Sequence, residues 1–184
     1  MTSFHVLIAS IGRPSLQRMI DSLNSQLHAC DHVTVVFDGV VVIPIDCSGA
    51  LFQLHTIEQS PALGSWGHGI RNTYARKIQR TDFVMHADDD DMYLSGTFDR
   101  LRELCKSRVC LYIAKFKRSN GTIFPLQTYV KEGEIGTPCG IIPFDLNPLG
   151  TWLPRRGGDG KFYEAISRKA KFIKFLDILI YECY

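Results

Sequence analysis

The sequence predicts an α/β domain built on a largely parallel sheet, and three observations carry that prediction. Apolar runs of strand length recur at "FHVLIAS" (4–10), "HVTVVFDG" (32–39) and "DFVMHA" (82–87), as strands covered on both faces require. Stretches between the runs carry apolar residues at helical spacing. Each run ends in a turn containing glycine or aspartate, so strand and helix alternate.

The elements follow in order. After the first strand, "GRPS" places Pro14 in a first helical turn, and Leu16, Met19, Ile20, Leu23 and Leu27 form one apolar stripe. The second strand ends at Asp38 and Gly39, and "LFQLHTIEQ" (51–59) reads as a third. "SPALGSWGHGIRNTYARKIQR" (60–80) opens as a glycine-rich loop and becomes helical from Ile70 to Gln79. The next strand, 82–87, is followed by Asp88 to Asp91 and a helix from Ser95 to Lys106. Beyond Arg108 the texture changes: 109–130 reads as strands joined at "SNG", and 136–160, rich in Pro and Gly, as loop with short strands. A helix over Lys161–Lys169 and the apolar "FIKFLDILIYECY" close the chain. Residues 1–184 are read as one domain whose halves divide at about residue 108.

Composition narrows the function classes. A net charge of +2, with 45% hydrophobic and 22% charged residues, supplies no global field for nucleic acid or an anionic membrane. Six cysteines without a CxxC pair read as buried free thiols in a reducing compartment, and "HACDH" (28–32) lacks a second ligand pair at zinc spacing. The first strand starts at Phe4, leaving no room for a signal peptide, and no apolar run reaches the roughly 18 residues of a membrane span. The expected location is cytoplasmic.

The chemistry is expected at the carboxyl ends of the parallel strands, where such sheets bind ligands. Ser10 to Arg13, Asp38, and Asp88 to Asp91 all fall there. Adjacent carboxylates repel unless cations or hydrogen-bond donors neutralise them, so the quartet by itself is expected to be electrostatically strained. On an extended segment Asp88 and Asp90 point the same way, offering two oxygen ligands suited to Mg2+ or Mn2+ with phosphate and water completing the shell. A calcium loop is a weak alternative, with Tyr93 and Asp99 where Gly and Glu belong, and an aspartyl phosphatase does not fit Met92 two residues after Asp90. A plain solvated loop is the remaining alternative.

The order "VLIASIGRP", "VVFDG", "GIRNTYAR", "FVMHADDDDMY" and "GGDGKF" resembles the family-2 glycosyltransferases of the GT-A fold, over residues 4 to about 183. The resemblance implies a Rossmann-like, mostly parallel central sheet flanked by helices, with a smaller mixed-strand acceptor-side half. It implies a nucleoside-diphosphate sugar as donor, UDP-linked by preference, and Mn2+ or Mg2+. Ala9, Ser10, Gly12 and Arg13 would line the nucleoside pocket, Asp38 would hold the base, and Gly67 through Asn72 would match the family's glycine and arginine–asparagine segment. Arg71 would sit by the acidic motif or the diphosphate, against the plainer reading of a solvent-facing helix residue. Asp88-Asp89-Asp90 resembles the family's DxD motif, with Asp88 facing ribose or sugar and Asp90 binding the metal; Asp91 would cap the next helix or contact the sugar. Asp159 of "GGDGKF" would be the general base of an inverting single displacement, or an N-cap before Lys161. Trp152 would be an acceptor platform or a core residue, Arg155 and Arg156 phosphate ligands or exposed charges, and Trp66 a shaper of the donor pocket.

The resemblance leaves the acceptor open among glycan, lipid, protein and modified nucleic acid, and the short C-terminal part allows for a partner subunit or oligomer. Two rivals keep the fold: a nucleotidyltransferase making the sugar nucleotide, for which "SIGRPS" is a poor signature, and a non-catalytic nucleotide-sugar-binding domain.

Overall fold

The computed structural model describes residues 1–184 and places β1 (Phe4–Ser10) at the centre of its sheet, buried at every residue. Phe4, Val6 and Ile8 face one side, where α1 (Leu16–Asn24) packs Leu16, Met19, Ile20 and Leu23 against them. Leu7 and Ala9 face the other, joining Ile70 and Tyr74 of α2 (His68–Tyr74). A strand with both faces covered needs this two-sided apolar run. His5, the polar exception, spends both ring nitrogens on Thr34 Oγ1 and the Gln79 carbonyl, 2.8 Å each.

β2 (His32–Asp38), β3 (Gln53–Gln59) and β4 (Phe83–Asp88) complete a parallel block in the order β3-β2-β1-β4. The rest of the sheet is mixed. β8 (Gly140–Pro143) runs antiparallel to β4 and to β6 (Cys110–Lys117), and β6 pairs parallel with the long β9 (Phe172–Glu182). β7 (Ile123–Phe124) folds back on β6 as the expected hairpin, and β5 (Met92–Tyr93) pairs antiparallel with β9. The remaining helices are α3 (Thr97–Leu104) and α4 (Gly158–Ser167). No helix is long and apolar enough to cross a membrane, and all six cysteines are free.

Three boundaries differ from expectation. α2 starts at His68 and stops at Tyr74, after which the chain tightens into i→i+3 bonding, Lys77 N–H to the Tyr74 carbonyl at 2.9 Å. α4 begins three residues before Lys161, at Gly158, because "GGDG" is helix built for close approach rather than loop. A Cβ at Gly158 would stand 2.1 Å from the Leu153 carbonyl oxygen and 2.9 Å from the His68 ring. β5 was expected as part of the acidic loop; its partner, β9, lies about ninety residues away, beyond any local pattern.

Candidate functional site

The parallel register sets Ala9 opposite Asp88 and Ser10 opposite Phe37, so the turns after β1, β2 and β4 leave the sheet at one level. With the first turn of α4 they enclose a cavity of about 700 Å3. Ala9, Ser10, Arg13, Asp38, Gly67, Asp88, Asp89, Asp90 and Asp159 all line it. Gly12, Arg71, Trp152 and Arg155 do not.

The aspartate quartet is divided by burial. Asp89 is 2% exposed and turned inwards: one carboxylate oxygen accepts from Ser10 Oγ (2.7 Å) and the Ile11 N–H (3.0 Å), the other from Arg13 Nη1 (2.8 Å). It lines the cavity, as expected, but spends its oxygens on fastening the turn after β1. Gly12 belongs to the same turn, at φ 77° with its N–H donated to Ser10 Oγ, and so shapes the pocket without facing it. Asp91 neither caps α3, whose N-cap is Gly96, nor reaches the cavity; it accepts the Tyr184 N–H at 3.1 Å. Burial there pushes its carboxyl up to about 6, with Asp88 and Asp90 adding to the rise.

Asp88 and Asp90 keep free oxygens towards the cavity. Asp88 Oδ1 pairs with Arg71 Nη2 at 2.5 Å while its side chain stays 37% exposed. Asp90 Oδ2 meets Arg13 Nη1 at 2.8 Å with its side chain 41% exposed, and its carbonyl accepts from Arg18. Partial burial raises the Asp90 carboxyl, Arg13 opposes that, and Asp88 and Asp89 add to it. The strain expected of four adjacent carboxylates is therefore offset in part from within, by two arginines and backbone donors, and persists in the raised Asp90 and Asp91 carboxyls.

Arg71 is not solvent-facing; it is wholly buried. Its guanidinium donates to Asp88, to the Ala87 carbonyl (3.1 Å) and to the Trp66 carbonyl (2.9 Å), and lies over the Trp152 ring. Asp38 holds the same loop from the other side, accepting the Leu63 N–H at 2.6 Å and the Gly64 N–H at 2.7 Å. Between these anchors the chain is left-handed at Gly64, Ser65, Trp66 and Gly67, with φ of 62°, 58°, 55° and 76°. For the two non-glycine residues this costs on the order of 1 kcal/mol each. Gly67 has no alternative: a Cβ there would sit 2.6 Å from that of Ala9.

Across the cavity Asp159 occupies the first turn of α4, where Gly157 is the N-cap; the alternative capping role thus falls to another residue. Asp159 Oδ1 accepts the Gly160 N–H at 2.8 Å, leaving Oδ2 without a protein partner. His68 lies beside it, a residue that sequence reasoning passed over. Its Nδ1 is 2.6 Å from the Leu153 carbonyl, which only accepts, so Nδ1 carries the proton and Nε2 is left with a lone pair. Burial lowers its pKa, so it stays neutral near pH 7.

Trp152 is a core residue. It is 1% exposed and stacked on Phe162 at 4.2 Å, with its backbone clamped by Asn72 through two 2.8 Å bonds, so it offers no face to a sugar. Arg155 points away from the cavity to make a two-pronged pair with Glu132, at 2.5 and 3.1 Å. Its neighbour Arg156 lines the cavity instead.

No group of three or more His, Cys, Asp or Glu side chains gathers where it could hold a metal ion. The free oxygens of Asp88 and Asp90 are nonetheless hard ligands, a donor set that fits Mg2+ or Mn2+ completing its shell with phosphate and water.

The fold is that of the GT-A class, a mostly parallel curled sheet flanked by helices, and its cavity lies at the strand ends. No protein-family model matches the sequence, and no curated protein does. Solved structures do match in fold. S. aureus TarS superposes with a TM-score of 0.75 at 18% identity, over 100% of this chain and 36% of that one. TarS 1–349 in complex with UDP-GlcNAc gives 0.72 at 16%, over 99% and 58%. The mannosyltransferase PcManGT from Pyrobaculum calidifontis, in complex with GDP-Man and Mn2+, gives 0.66 at 15%, over 96% and 55%. This chain thus spans between about a third and three fifths of the proteins it resembles.

Proposed function

We propose that this chain is a metal-dependent, inverting glycosyltransferase that moves a sugar from a nucleoside-diphosphate sugar to an acceptor hydroxyl. One observation carries the reading: a single cavity faces two carboxylates at and just past the end of β4, Asp88 and Asp90, each with a spare oxygen, and a third, Asp159, from the start of α4. The GT-A fold, found in structures holding UDP-GlcNAc or GDP-Man with Mn2+, supports it.

The parts divide by position. Residues 1 to about 108 supply most of the donor site, and about 109–184 supply the base, the acceptor side and one donor contact, Arg156. Ala9, Ser10 and Asp38 receive the nucleoside, and Arg13 and Arg156 bring positive charge to the diphosphate. Asp88 and Asp90 hold Mn2+ or Mg2+, which when bound supplies Lewis-acid neutralisation of the departing diphosphate. Asp159 takes the acceptor hydroxyl proton through its free oxygen as the hydroxyl oxygen attacks the anomeric carbon. The bond from that carbon to the diphosphate breaks, the electron pair leaving with the diphosphate, and attack from the opposite face inverts the centre. Arg71 positions Asp88 and the 63–67 loop without touching substrate. Six free cysteines fit a reducing, cytoplasmic setting.

The test is a panel of UDP- and GDP-sugars incubated with the protein and Mn2+, with mass spectrometry following donor loss. Metal-dependent release of UDP or GDP is expected, a UDP-sugar being the first choice. Pyrophosphate-dependent release of a nucleoside triphosphate would instead identify a nucleotidyltransferase.

A further inference from the structure

Trp66 is the most exposed aromatic side chain of the protein, at 69%, and it stands on the rim of the cavity. An exposed tryptophan on a mobile loop would carry no meaning. The backbone that carries this one is pinned: Asp38 accepts the N–H groups of Leu63 and Gly64, Arg71 donates to the Trp66 carbonyl, and Gly67 behind it is pressed against Ala9. Trp66 also adopts φ 55°, a conformation that glycine would adopt without strain. A large apolar ring is thus kept in an unfavourable backbone setting where it buries little, which marks a position used for something other than stability.

Its orientation narrows the use. The Trp66 ring lies 6.5 Å from that of His68, tilted by 53°, and the His68 ring in turn packs on Gly158, next to Asp159. The indole therefore borders the Asp159 side of the cavity, where bond exchange would occur. A flat, electron-rich face complements the C–H face of a pyranose, with the sugar hydroxyls left to the polar groups around it.

We propose that Trp66 is a stacking platform for the sugar ring being transferred or receiving it; this rests on the nucleotide-sugar reading above. The ring comes from the donor or from the acceptor, and binding measurements separate the two. Calorimetry with Mn2+ would compare wild type, Trp66→Ala and Trp66→Phe for UDP, GDP, UDP-GlcNAc, UDP-glucose and GDP-mannose. If the donor sugar stacks, Trp66→Ala weakens the nucleotide sugar about three- to tenfold and the matching diphosphate not at all, while Trp66→Phe restores most of the loss. If the acceptor sugar stacks, nucleotide sugars are unaffected, but methyl glycosides added to the UDP complex shift tryptophan emission in wild type and not in Trp66→Ala. Trp152 is buried, so Trp66 dominates that signal.

Equal weakening of UDP and UDP-GlcNAc would mean that Trp66 stacks on the base, and no change with any probe would mean that it touches no ligand; either overturns the proposal. Thermal melting of Trp66→Gly adds a control. An unchanged or raised Tm is expected because the left-handed strain is relieved, whereas a fall of several degrees would mark a structural role and also overturn it. Wild type that binds no nucleotide would remove the transferase reading itself and this proposal with it, a failure visible before any variant is made.

Discussion

Each end of the sheet carries a buried arginine paired to an aspartate, and the two pairs differ in what the carboxylate has left over. At the amino ends of the strands, Asp31 is fully buried and fully spent: its oxygens accept the Phe4 and His28 N–H groups, both at 2.8 Å, and the Arg102 guanidinium. At the carboxyl ends, Asp88 meets Arg71 through one oxygen and turns the other to the cavity. The arginines are both enclosed, so the difference lies in the acids. A carboxylate with every lone pair committed holds structure together, whereas one pinned on a single side is oriented and still available. Charge in a sequence does not distinguish these cases; hydrogen-bond occupancy does. The same distinction separates Asp89, spent on the turn after β1, from Asp90 one residue later.

Substitutions at matched positions should pull the two ends apart. The largest effect is expected at Asp159: Asp159→Asn should lower transfer about 100- to 10,000-fold, read as initial rate, with donor affinity by calorimetry nearly unchanged. Loss of donor binding in step with rate would remove Asp159 from the base role. Next comes the spent acid. Asp31→Ala takes from Arg102 its buried partner, leaving the exposed Asp99, at 3.5 Å, as its only carboxylate, and should cost about 3–5 kcal/mol in urea unfolding. Asp90→Ala, half exposed beside other acids, should leave stability unchanged or slightly raised while abolishing metal-dependent donor binding. If both variants destabilised alike, the distinction between the two ends would collapse.

A smaller effect is expected from pH. Burial lowers His5 to about 4 and His86 to about 3, below their ordinary value of 6.5. The unfolded chain then takes up protons in a range where the folded one does not. The histidines' contribution is therefore full above about pH 6.5 and falls as pH drops toward 4, by roughly 1 kcal/mol per unit for each. Asp91, raised to about 6, works in the opposite direction and offsets about one of them between pH 6 and 4. Chemical denaturation between pH 7 and 4 checks this, and His86→Gln should flatten the slope. The smallest effect belongs to neighbouring arginines. Arg155→Ala should shift stability by about 0.5 kcal/mol or less and leave donor affinity alone, while Arg156→Ala, on the cavity, should weaken it several-fold.

Much of the fold was legible because parallel strands covered on both faces leave long apolar runs, and β1, β2 and β4 fall within a residue or so of where those runs lie. β5 escaped that logic, and so did the partners of the expected C-terminal strand β9, since their pairing is non-local. Site positions at strand ends were legible for the same topological reason. Side-chain direction was not: Trp66 adjoins Gly67 and Trp152 stands two residues from Gly150, yet Trp152 is buried against Phe162 and Trp66 stands free. His68 went unnoticed because its isolation in the chain gives no motif, and only packing brings it beside Gly158 and Asp159. The quartet's expected strain survives in the raised Asp90 and Asp91 carboxyls, while Arg13 and Arg71, approaching from other elements, offset it at Asp88, Asp89 and Asp90 in a way the local sequence does not show.

The central claim is that the spare oxygens of Asp88 and Asp90 take up a nucleoside diphosphate through a divalent cation. Calorimetric titration of UDP and GDP into wild type and Asp90→Asn, each with Mn2+ and then with EDTA, tests it most directly. The account predicts that wild type binds one of them at least tenfold more tightly with Mn2+, and that Asp90→Asn loses this difference while keeping its Tm. Equal affinity with Mn2+ and EDTA in wild type, or an Asp90→Asn variant that still responds to Mn2+ as wild type does, would contradict it.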